Sequence, residues 1–187
     1  EMCIRDSIHP MSPLSKIFWM KHEQPDIYQN TAMFADIKTY IFYQLYGEYV
    51  MDHSMASATG LFNLQQLDWD QEALELLGIS ASQLPQLVPT THILKGMKKR
   101  YATLMGIDEN TPVVVGASDG VLSNLGVNSY KKGEVAVTIG TSGAIRTVID
   151  KPRTDYKGRI FCYVLDEEHY VIGGPVNNCL LYTSLSG

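Results

Sequence analysis

The sequence predicts an α/β protein built in two parts, the first mostly helical and the second mostly strands. Three observations carry that prediction. Between Ser12 and Gly106, amphipathic stretches are bracketed by capping residues. Val113-Val114-Val115 is an apolar run with Pro112 before it and Gly116 after it, the pattern of a buried strand. From Glu134 onward, β-branched runs alternate with short glycine-rich or acidic turns.

The elements follow in order. Ser12-Pro13 opens a helix, with Ser as N-cap and Pro at the first helical position. Leu14, Ile17, Phe18 and Lys21 continue it at helical spacing, and Pro25 is expected to stop it. Asp36 caps a second helix whose predicted apolar face is Ile37, Tyr40, Ile41 and Leu45, closed by Gly47. Asp52 caps a short helix through Ala58, Asp70 caps one to Leu77 before Gly78, and Lys98 to Met105 forms another before Gly106. Short strands are expected near Glu48–Met51 and Thr91–Leu94. Past the buried strand come Gly116-Ala117-Ser118-Asp119-Gly120 and an apolar stretch to Val127. Asn128 to Gly133 reads as a connection between domains. Glu134–Ile139 and Ala144–Ile149 pair around Gly140-Thr141-Ser142-Gly143, and Arg159–Leu165 pairs with His169–Ile172.

Composition narrows the function classes. The chain has 187 residues, 45% hydrophobic and 19% charged, with a formal net charge of -5. That is a globular composition, with no basic stripe for nucleic acid and no apolar run long enough to span a membrane. The two ends read as foreign to the protein. Met2–Ser7 and Cys179–Ser184 back-translate to the two strands of one short oligonucleotide resembling a transposase adapter used in DNA-library preparation. Residues 1–7 and 179–187 are therefore expected to be adapter-derived, and 8–178 to be an internal fragment. Cys162 is then the only natural cysteine, which excludes an intrachain disulfide and fits a reducing, cytoplasmic compartment.

Three places could carry chemistry. Asp119 lies beyond the carboxyl end of a predicted strand, where open α/β sheets bind ligands, and a carboxylate there can take a proton from a hydroxyl. A helix cap or turn would use the same Asp. Gly140-Thr141-Ser142-Gly143 offers amide and hydroxyl donors to phosphate oxygens, and a plain hairpin turn uses the same residues. Asp52-His53-Ser54-Met55-Ala56-Ser57 is small and polar enough to line a polyol site, or to be a capped helix start with a solvated His. The remaining His residues form no metal cluster in the sequence, and Lys95, Lys98, Lys99 and Arg100 read as a solvated face.

Taken in order, these segments resemble the FGGY family of carbohydrate kinases. Gly47-Glu48 through Asp52, Ala56-Ser57 and Leu61-Phe62 is similar to that family's Gly-Glu-x-x-x-Asp-x-x-x-Ala-Ser-x-x-x-Leu-Phe segment, with Leu67-Asp68-Trp69-Asp70 following as it does there. Pro112 to Gly120 resembles the strand and loop of the family's catalytic Asp, and Thr138 to Gly143 its second phosphate-binding hairpin. His9-Pro10-Met11-Ser12-Pro13-Leu14 and Ile172 to Asn178 are most like the gluconate kinase branch.

The resemblance implies an actin/hexokinase-like (ribonuclease H-like) two-domain kinase fold, present as a fragment. Residues 8–130 would be the later part of the N-terminal domain and 131–178 the start of the C-terminal domain. It further implies ATP and Mg²⁺, and phosphorylation of a sugar or sugar acid, gluconate foremost, in the interdomain cleft. Xylulose- or glycerol-type kinases and a non-catalytic sugar- or nucleotide-binding regulator are the alternatives. Asp119 would be the general base and touch the substrate. Gly140 and Thr141 would hold the nucleotide phosphates, and Ser142 and Gly143 would shape the turn. Gly174 and Asn178 fall where glycerol kinases contact nucleotide. His53 falls where they place a substrate-contacting Tyr. Gly120 stands where other branches carry Asn or Gln, which removes a side-chain contact. The implied partners are small molecules rather than nucleic acid or membrane, and a homo-oligomer of the full-length protein is compatible with the sequence. With the family's first phosphate loop and adenosine site missing, the 187-residue chain is expected to have little or no kinase activity.

Overall fold

The computed structural model describes residues 12–139, 143–155 and 159–176. Local cap chemistry sets most helix ends. The Ser12 hydroxyl accepts from the Ser15 N–H at 3.3 Å and opens α1 (Pro13–Glu23). Pro25 does not simply stop that helix. It opens a second one, α2 (Pro25–Gln29), because a proline at the first helical position forfeits no hydrogen bond.

In α3 (Ile37–Tyr46), Asp36 caps the Thr39 N–H at 2.7 Å and Gly47 closes the helix at φ +86°. The expected apolar face is corrected here. Ile37 is 77% exposed, Tyr40 and Ile41 are also exposed, and the buried residues are Thr39 and Phe42. The Thr39 hydroxyl donates to the Val50 carbonyl at 3.0 Å, which turns the Thr39/Phe42 side of the helix onto the strand. There Phe42 packs with Val50, Val88, Leu94 and Val115.

That strand is β1 (Val50–Asp52). It leads into α4 (His53–Ser57) and pairs in parallel with β4 (Gln86–Val88), Met51 opposite Leu87. Between them lie a small hairpin of β2 (Phe62–Asn63) and β3 (Asp68–Trp69), then α5 (Gln71–Leu77) and a short 3-10 turn at Ala81–Gln83. Next, β5 (Ile93–Leu94) pairs antiparallel with β6 (Val113–Val114), with α6 (Lys99–Met105) between them. The buried-strand expectation holds only for Val115. Val114 is 56% exposed, because β6 has a partner on one side alone among the described residues.

Beyond β6 come α7 (Asp119–Gly126) and then a four-stranded antiparallel sheet. Its strands are β7 (Val135–Thr138), β8 (Gly143–Ile149), β9 (Phe161–Val164) and β10 (Tyr170–Val176), in the order β7-β8-β10-β9. Val121 of α7 packs with Val148 and Val171 of this sheet and with Leu165 just past β9. The sheet also joins the helical part directly. Cys162, Val164 and Tyr170 share one core with Leu14, Ile17, Met51, Leu61, Trp69 and Leu77. Two hydrogen bonds tie the seam: the Val164 N–H donates to the Ser57 hydroxyl at 3.2 Å, and the Thr90 hydroxyl donates to the Leu165 carbonyl at 2.8 Å. Val135, Val137 and Ile145 stay exposed on β7 and β8. Among the described residues no helix is long and apolar enough to cross a membrane.

Candidate functional site

The site is assembled where two helices begin. At the first, Asp52 is fully buried and does two jobs. One carboxylate oxygen caps the Met55 N–H at 2.9 Å, and the other accepts from the Lys38 ammonium at 2.6 Å. A buried carboxylate needs such partners to stay charged. This anchor fixes His53 and Ser54 in the first turn of α4.

The second helix start belongs to Asp119. Val115 and Gly116 donate to the His92 and Thr90 carbonyls at 2.9 Å each, holding the chain beside β5. Gly116 then takes φ +75°, a turn that a residue with a side chain resists. Three residues later α7 begins, with Asp119 as its first residue and Ser118 ahead of it. Asp119 is exposed, and one carboxylate oxygen accepts from the Gly120 N–H at 2.7 Å. The Ser54 hydroxyl donates to the Ser118 hydroxyl at 3.1 Å and accepts from the Ser118 N–H at 3.2 Å. The residues next to His53 and Asp119 are thus bonded to each other across 64 positions of chain.

His53 lines a pocket of about 480 Å³ with Asp68, Trp69, Pro85, Gln86 and Leu87, and Asp119 is not in that lining. The imidazole is half-buried rather than solvated, its ring 5.6 Å from that of Phe62. Burial holds its pKa below the usual histidine value of 6.5, and nearby Glu167, Asp52 and Asp68 oppose that shift without cancelling it. The unfolded chain therefore takes up a proton near pH 6.5 that the folded protein refuses, so stability falls as pH drops below about 6.5. In the full-length protein, His53→Gln should flatten the fall in unfolding midpoint between pH 7 and 5. Parallel curves for the two proteins would assign that acid limb to other groups.

The strand side of the expected site is placed in part. Gly140, Thr141, Ser142 and Asn178 lie outside the described residues. Gly143 is buried at the start of β8 and pairs with Val176, and Gly174 pairs with Ile145 two residues along the same ladder. Among the described residues a Cβ at Gly174 would meet only the Arg159 carbonyl, at 3.9 Å, which leaves this backbone open to close approach. Among the described residues no three His, Cys, Asp or Glu side chains gather to hold a metal.

The Ser54–Ser118 contact and the placement of Arg146 escaped sequence reasoning. Ser54 and Ser118 meet only through the fold. Arg146, a lone cation in the run Ala144–Ile149, lies over Gly120, with Nη2 and Nε 3.5 and 3.6 Å from where a Cβ would stand. A basic residue inside a β-branched run was the available signal.

Residues 4–126 match the FGGY family of carbohydrate kinases, N-terminal domain. Gluconokinase from Bacillus subtilis (strain 168) is 63% identical over 171 residues, covering 91% of this chain and 33% of that protein. The crystal structure of gluconate kinase from Lactobacillus acidophilus superposes with a TM-score of 0.92 at 40% identity, over 97% of this chain and 37% of that one. A ligand-bound xylulose kinase from the same organism gives 0.91 at 41% identity, over 95% and 36%. The chain thus spans about a third of the length of the relatives it matches.

Proposed function

This chain belongs to the FGGY family of carbohydrate kinases, and from that premise we propose that it is part of an ATP-dependent gluconate kinase that forms 6-phosphogluconate. The observation that carries this reading is the 63% identity to a protein named gluconokinase. It is supported by the placement of Asp119, exposed at the start of α7 and tied through Ser118 to the His53 segment. Its fold is that of the FGGY sugar kinases, the actin/hexokinase-like architecture.

In this reading the Asp119 carboxylate takes the proton of the acceptor hydroxyl as its oxygen attacks the γ-phosphorus. The bond from that phosphorus to the β,γ-bridging oxygen breaks, and ADP leaves. Asp119 suits the role because it is exposed, and among the described residues its carboxylate accepts from the Gly120 amide at 2.7 Å. The turn Gly140-Thr141-Ser142-Gly143, with Gly174 and Asn178, receives the nucleotide phosphates, and the open backbone at Gly174 fits such an approach. Mg²⁺, when bound with the nucleotide, would neutralise charge on those phosphates. His53 touches the acceptor sugar from the α4 side. Residues 8–130 belong to the first domain of the whole enzyme and 131–178 to the second, and the enzyme works in the cytoplasm.

The second reading is a xylulose-type kinase, favoured by the close superposition on the Lactobacillus xylulose kinase. A panel of gluconate, xylulose and glycerol with ATP, run on the full-length enzyme, decides between them. We expect kcat/KM for gluconate to lead by at least about a hundredfold. A lead for xylulose would overturn the gluconate assignment, and binding without turnover of any acceptor would favour a non-catalytic regulator.

A further inference from the structure

Arg146 occupies a position that its own neighbours do not explain. It sits on β8, opposite Ala136 on β7 and Gly173 on β10. Gly173 has no side chain, and a Cβ there would stand 3.1 Å from the Arg146 Cγ. The arginine stem can therefore lie flat across β10. Its guanidinium carbon lies 5.9 Å from the centre of the Phe161 ring, and Nη1 donates to the Thr138 hydroxyl at 2.9 Å. Those contacts hold the planar group in place. The opposite edge, Nε with Nη2, is turned toward Gly120, the residue after Asp119.

That edge lacks an acceptor where one is needed. Nε is buried without a hydrogen-bond partner. Among the described residues, Arg146 forms no ion pair with any carboxylate. A buried guanidinium donor without an acceptor is costly, and the Nε–Nη2 edge matches the two oxygens of a carboxylate. Arg146 is also three residues along β8 from Gly143, about 10 Å in an extended strand. The guanidinium thus lies between Thr138, two residues before the Gly140 turn, and Gly120, the residue after the general base.

We propose that Arg146 is the specificity-determining residue of this site, receiving the carboxylate of a sugar-acid acceptor while Asp119 addresses its hydroxyl. The inference rests on the reading of the site as a sugar-acid kinase. A neutral sugar gives the guanidinium nothing to pair with, whereas an aldonate supplies the acceptor that Nε lacks. Gly120 complements this role, because a longer side chain there would meet the guanidinium.

The test uses the full-length enzyme with gluconate and with glucitol, the neutral polyol of the same carbon chain. The wild type is measured first. Failure to phosphorylate gluconate would overturn the functional reading itself, and this inference with it. Given wild-type turnover, R146M should raise KM for gluconate ten- to a hundredfold, leave KM for ATP within about twofold, and erase most of the preference over glucitol. R146K keeps the charge and loses the fork, and should fall between. It also serves as the test if R146M fails to fold. An unchanged gluconate KM in the folded variant would overturn the proposal. So would an equal loss of kcat on both acceptors with a raised KM for ATP, which would place Arg146 on the nucleotide phosphates instead.

Discussion

Asp119→Asn in the full-length enzyme should lower kcat by about a thousandfold, within the range that general-base catalysis contributes. The change is nearly isosteric. The amide oxygen can still accept from the Gly120 N–H, as the carboxylate does at 2.7 Å. Asn also tolerates the first turn of a helix, and the side chain is exposed, so neither α7 nor the core beneath it is disturbed. What is lost is the capacity to take a proton. KM for ATP and the affinity for gluconate should therefore stay within a few-fold of wild type. This is the split expected when only an interaction made in the transition state is removed. Steady-state kinetics with equilibrium binding of each substrate checks it. A kcat within tenfold of wild type would move the base to another residue.

Gly173→Ala should be the most damaging small substitution, costing about 3 kcal/mol of stability, the upper end of overpacking effects. Gly173 sits on β10 between Arg146 of β8 and Phe161 of β9. An added Cβ would fall inside 3.0 Å of both the Ile145 backbone oxygen and the Phe161 ring edge. The ring can turn, but the Ile145 carbonyl belongs to a central strand laddered on both sides and cannot yield without opening the sheet. Gly174→Ala is the control. Its Cβ would make only an ordinary contact with the Arg159 carbonyl, and stability should change by less than about 1 kcal/mol. Urea midpoints of the two variants beside wild type measure both effects. Equal midpoints for Gly173→Ala and wild type would refute the clash.

What could be read from the sequence was local chemistry. Ser12, Asp36, Asp52 and Asp70 each cap the helix they were expected to cap, and Gly47, Gly78 and Gly106 close theirs in the left-handed conformation. These signals lie within four residues of the bonds they make. The solvent-facing side of α3 was misread because Thr39 is chosen by its bond to Val50 rather than by hydropathy. The β2–β3 hairpin escaped notice because strands of two residues leave no alternation to detect. The same divide runs through the candidate site. Asp119 stands out between glycines after an apolar run. The Ser54–Ser118 link and the reach of Arg146 over Gly120 join residues 64 and 26 positions apart, and no periodicity records them.

The sheet's outer strand has a practical consequence for handling this polypeptide. β7 lies at the end of the order β7-β8-β10-β9, so one side of its backbone ladder has no strand beside it among the described residues. Val135 and Val137 project from it into solvent, with Ile145 exposed on the neighbouring strand. An open edge flanked by β-branched side chains and without inward charges or proline is a template for pairing with a second copy. The chain by itself is therefore expected to associate through this edge. Light scattering of the isolated chain should show self-association that rises with concentration.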